Sequence, residues 1–208
     1  MSRDDWFRRT EWDASAEADF DSRLRRARDK VQPLKIQAAL LAESNPVVAL
    51  RLIDRYFDSG DTLFVAHAYS IQALARRRVG DITGAARSYE AALTREAEFP
   101  QVKSNSFVEY PLLVAEHGLS DRYDRALLVL AEHEANLTFP VQHFMWHAAR
   151  ALILEAQGNR TQAEVAAREA LDEAKTSASG FRYHQSLGLV GASYGELRER
   201  LRGIAPGE

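Results

Sequence analysis

A chain of 208 residues, 46% hydrophobic and 27% charged, can bury one substantial core and has the balance of a soluble globular protein. A formal net charge of −3 excludes a general nucleic-acid binder, which needs a basic surplus for phosphate contacts. The lack of cysteine excludes disulfides and thiolate metal sites.

The opening MSRDDWFRRTEWD carries acidic residues and no apolar stretch of signal-peptide length, and no later run approaches the ~20 residues that span a bilayer. A cytoplasmic location with no membrane partner is the expectation. Lys30, Lys35, Lys103 and Lys175 are the lysines, against a large arginine majority. With the many alanines, this bias points to a GC-rich, bacterial coding sequence.

Trp6, Phe7 and Trp12 crowd the first segment. Groups of this size are costly to leave in water, so they serve as a cap on a core or as anchors in an interface, and the cap takes precedence. In EADFDSRLRRARDKV, the residues Phe20, Leu24, Ala27 and Val31 fall on one helical stripe, with Arg23, Arg25, Arg26 and Arg28 off it. Pro33 suits the first turn of a second helix, PLKIQAALLAES, where a missing N–H costs nothing. No long alternating β-branched run occurs, and the chain reads as all-α.

Two stretches repeat. Ala68–Leu93 and His147–Leu171 each hold a helical run, a Gly-containing turn (Gly80-Asp81, Gly158-Asn159) and a second helix rich in small residues. With the turns in register, Ala73 matches Ala151, Ala85 matches Ala163, Ala92 matches Ala170 and Leu93 matches Leu171. Glycine ends the first helix because it enters the left-handed cap cheaply, and alanines let paired helices approach closely. Weaker units place Ala49 and Ala126 at the matching small position, so that alanines 49, 85, 126 and 163 are spaced by 36, 41 and 37 residues.

This pattern of Ala73, Gly80-Asp81, Ala85, Tyr89 and Ala92, then Ala151, Gly158, Ala163 and Ala170, resembles tetratricopeptide (TPR) repeats. The second unit departs from it, with Ala167 where an aromatic is usual, and neither unit has the terminal proline in place. The segments DDWFRRTEW, FPVQHFMWHAARALI and SGFRYHQSLGLVG together are similar to a group of bacterial TPR-like proteins that carries no assigned activity. The resemblance implies an α–α superhelix of about four helix pairs with N-terminal and C-terminal capping helices. It divides a single domain into a cap segment (1–30), repeats (31–175) and a capping loop with a final helix (176–208).

In that register the concave face carries His67, Leu74, Arg77 and Arg78 from one pair and Met145, Leu152 and Glu155 from another, a mixed but largely apolar groove. A protein or peptide partner is its expected occupant; a second copy, giving a homodimer, or the chain's own tail would also cover it. The lysine/asparagine clamp of TPR domains that grip C-terminal carboxylates has no counterpart. Arg76, Arg77 and Arg78 spread over about 200° of helical arc, with Arg76 leaning between helices. Before Gly80 they also complement a helix C-terminus.

A second candidate is polar. His143 and His147 stand four apart on one helix face beside Trp146, as metal ligands can, with Glu155, Glu109 or His184 as a distant third. HFMWH lacks the glutamate of HExxH, and a structural histidine is the preferred reading. Arg182, Tyr183 and His184 form a further cluster. No serine nucleophile frame or phosphate loop occurs, so no catalytic residue, metal or cofactor is assigned. A small enzyme or metal protein centred on His143, His147 and His184 is the alternative, and a toxin- or effector-neutralising partner a further one. The SGFRYHQSLGLVG segment is expected first to cap the last repeat and second to edge a binding site.

Overall fold

The computed structural model describes residues 5–206, and among them it holds ten α-helices and no strand. They are α1 (Ala14–Arg26), α2 (Val31–Leu41), α3 (Pro46–Phe57), α4 (Val65–Arg78), α5 (Ile82–Glu98), α6 (Ser106–Glu116), α7 (Tyr123–His133), α8 (Pro140–Ala156), α9 (Arg160–Glu173) and α10 (Gly195–Ile204). The fold is all-α. None of these helices is long and apolar enough to cross a membrane. Met1–Asp4, the start of the segment read for a signal peptide, and Gly207–Glu208 lie outside the described residues.

Packing divides the chain into two compact units, 1–106 and 107–208. In the first, α2 packs on α3, α3 on α4 and α4 on α5. Leu34, Ala38, Leu41, Leu52, Ile53 and Tyr56 are all within 3% of complete burial in its core. In the second, α7 packs on α8, α8 on α9, and α10 lies against both α8 and α9.

The stripe Phe20–Leu24–Ala27–Val31 is not one helix. Phe20 and Leu24 are buried on α1, but Ala27 turns extended (φ −69°, ψ 137°) and ends it. The Asp29 carboxylate then accepts from the Val31 and Gln32 amides at 2.9 and 3.4 Å, and Val31 opens α2. A side chain that captures orphan donors of a helix start outweighs a continuing apolar period. Pro33 sits in the first turn of α2.

Three helices end in the same way. The amides of Gly80, Gly118 and Gly158 bond back to Arg77, Ala115 and Glu155, and the next amides, of Asp81, Leu119 and Asn159, reach Arg76, Val114 and Leu154 five residues back. That is the Schellman pattern, and each glycine supplies the left-handed residue it needs, with φ of +85°, +63° and +80°. Ala49, Ala73, Ala85, Ala92, Ala126, Ala151, Ala163 and Ala170 are all wholly buried.

The N-terminal aromatics close on α1. Trp6 and Trp12 each lie 5.4 Å from the Phe20 ring, and Phe7 meets Trp6 edge-on at 5.1 Å. Gln37 of α2, fully buried, fixes this segment by accepting from the Arg9 amide (3.0 Å) and donating to the Arg9 carbonyl (2.7 Å).

Candidate functional site

In the first unit, α4 carries four of the residues assigned to the groove. Arg77 and Arg78 are exposed, and Arg78 pairs with Glu43 at 2.7 Å. Leu74 is half-buried against the core. His67 is half-buried, its Nε2 2.8 Å from the Lys103 carbonyl and its ring parallel to Phe64 at 6.1 Å. Arg76 turns into the α4–α5 seam, where it donates to the Gly84 carbonyl (3.2 Å) and the Ser88 hydroxyl (3.0 Å). A cleft of about 560 Å³ opens beside these helices, lined by Asp61, Val65, Tyr69, Thr94, Arg95 and others, and no predicted groove residue lines it.

Beside His67 stands a cluster that sequence reasoning missed. The Lys35 ammonium lies 3.5 Å from the Phe64 ring centre; burial lowers its pKa from the usual lysine value, while Asp61 and Asp29 pull it back up. Burial also works to raise the Asp61 carboxyl. Hydrogen bonds from the Tyr56 hydroxyl and the Phe64 amide outweigh that, so Asp61 lies below the usual carboxylate range. Tyr56 is pushed well above the usual phenol range by burial and by that carboxylate. Asp61 thus organises the entry to α4, and Asp-Thr-Leu-Phe before a helix was the available signal.

In the second unit, Met145 and Leu152 are buried, each 8% exposed, and Glu155 is half-buried. At Met145 the chain's own C-terminal segment meets α8. The Tyr194 hydroxyl reaches the Met145 sulfur at 3.4 Å, and its ring meets Phe144 edge-on at 5.2 Å. The Val141 amide, in the first turn of α8, donates to the Gly188 carbonyl at 2.8 Å, and Phe181 stacks on Phe139 at 5.4 Å.

The polar candidates separate into two places. Trp146 is buried and donates from Nε1 to the Leu130 carbonyl at 2.9 Å; His147 packs edge-on against its ring at 4.8 Å. His147 Nδ1 lies 2.9 Å from a Glu169 carboxylate oxygen without forming a hydrogen bond to it. Burial lowers the His147 pKa, with Glu169 and Glu173 opposing and His143 and Arg150 adding to the fall. Arg182, Tyr183 and His184 stand on an exposed loop, Tyr183 at 82% exposure, with the Arg182 guanidinium 5.5 Å from the Tyr183 ring. No hydrogen bond or ion pair joins their side chains to His143 or His147 among the described residues. Nor do any three His, Asp or Glu side chains among those residues form a group that could hold a metal ion.

The fold defines the class as an all-α protein in which neighbouring helices pack on one another. No protein-family model, curated protein or solved structure matches the chain.

Proposed function

We propose that the chain is a TPR-like helical-repeat interaction module of about four helix pairs, α2–α3, α4–α5, α6–α7 and α8–α9, that acts by binding a protein or peptide partner. The observation that carries this reading is the same glycine cap at Gly80, Gly118 and Gly158, followed in each case by a helix with a wholly buried alanine at its pairing position (Ala85, Ala126, Ala163). A repeat built this way presents side chains on shared faces and works through them. Binding is favoured over chemistry because His147 and Trp146 are engaged as packing groups, while the Tyr183 ring is displayed to solvent.

The test is cross-linked affinity capture from the host with wild type, Arg77→Glu and Tyr183→Ala, each with an unchanged melting curve. At least one variant should lose proteins that the wild type retains. Identical retention by all three would sink the reading.

A further inference from the structure

We propose that the seam between the C-terminal end of α9 and α10 is a binding site for a phosphate group, free or carried by a small ester. A cavity of about 220 Å³ opens there, lined by Leu171, Ala174, Lys175, Arg198 and Arg202. Every polar side chain that lines it is cationic, although the chain as a whole carries a net charge of −3. The proposal goes beyond the reading of the chain as an interaction module and does not depend on it.

An ordinary helix end does not account for three cations. The C-terminus of α9 carries the equivalent of about half a negative charge, which one cation offsets. Lys175, just past the cap residue Ala174, serves that purpose. Arg198 and Arg202 come from another helix, four residues apart, and so share one face of it. That helix is fixed: Leu197 and Leu201 are buried, and α10 packs on both α8 and α9. Two carboxylates pair with the cluster, and neither lines the cavity. Asp172 meets Lys175 at 2.9 Å, and Glu199 pairs with Arg202.

Those two pairs leave more than half of each side chain in water, so a ligand that draws the cations away gives up little. Arg198 is half-buried and makes no hydrogen bond or ion pair among the described residues. Its guanidinium donors are therefore available to an oxyanion. Two planar forks and an ammonium suit a group with several acceptor oxygens: each arginine can give paired N–H donors, and the lysine adds a point charge. The cavity is smaller than the ~300 Å³ at which pockets for drug-sized ligands begin, which suits a phosphate with a short carbon tail. Leu171 and Ala174 supply an apolar wall for that tail.

The experiment is isothermal titration of the full-length protein with inorganic phosphate and, separately, with glycerol phosphate, at constant ionic strength. At least one should bind saturably, and the tighter of the two identifies the source of the phosphate group. Arg198→Gln keeps most of the stem and should weaken binding about tenfold or more, as loss of a charge-assisted contact predicts. Arg200→Gln, at an exposed arginine of the same helix outside the cavity lining, removes the same net charge and should change binding by about twofold at most. Should Arg198→Gln fail to fold, Arg202→Gln is read in the same way. Two results overturn the proposal: no saturable binding of either compound, or an equal loss from the cavity variant and Arg200→Gln, which marks a diffuse field and not a site. Both titrations use purified protein alone, so their failure is distinct from failure of the capture experiment.

Discussion

Gln37 offers the sharpest test of how the N-terminal segment is held. Its side-chain amide meets both the N–H and the C=O of Arg9, as a neighbouring strand would, and it is completely buried. Replacing it by leucine keeps the volume and removes both bonds. If the segment stays in place, two backbone groups lose partners, at about 1–3 kcal/mol each. If the segment peels away into water, burial of Phe7 is forfeited, about 2 kcal/mol, along with the partial burial of Trp6 and Trp12. Either route predicts a loss of about 2 kcal/mol or more for Gln37→Leu, read by urea denaturation of the first unit through Trp6 and Trp12 fluorescence in a Trp146→Phe background.

Gln37→Glu separates hydrogen bonding from volume. At neutral pH it sets a carboxylate against the Arg9 carbonyl. Once protonated, it can donate again. Its folded-state pKa is then raised, so stability is recovered as pH falls below that value and lost as pH rises through it. A Gln37→Leu protein that melts within about 0.5 kcal/mol of wild type with unchanged tryptophan emission would refute the reasoning.

Acidification should destabilise the second unit through His147. Because burial holds its folded pKa below the ordinary imidazole value of 6.5, its contribution is whole above that value and is lost as pH falls through the folded pKa; His147→Gln should flatten the melting profile in that window. Gly158→Ala should cost about 1–2 kcal/mol in chemical denaturation, since the site is open but left-handed, whereas Gly180→Ala, in open space without a left-handed φ, should be neutral or gain about 0.5 kcal/mol.

The features legible in the sequence are those decided within a few residues. A glycine cap and a small residue at a helix crossing are local demands, so Gly80, Gly158 and the buried alanines could be placed from spacing alone. The break after Arg26 was equally local, but a regular apolar stripe concealed it, and Asp29 was the overlooked signal. Met145 and Leu152 illustrate the opposite limit. Their helix face was assignable, but not what meets it at Met145, because Tyr194 arrives there from 49 residues away. Gln37 was likewise visible only as a polar residue inside the stripe of Leu34, Ala38 and Leu41, and its partner lies 28 residues upstream.

The glycine turns have a practical corollary. No atom lies within 4 Å of where a Cβ would stand at Gly80 or Gly158, and Thr83 and Thr161, three residues on, are exposed. In a chain without cysteine, a thiol introduced at either threonine is unique and can be labelled without competition. Dyes at the pair would make the two hairpins the fixed ends of a molecular ruler, able to report any partner that draws the units together or apart.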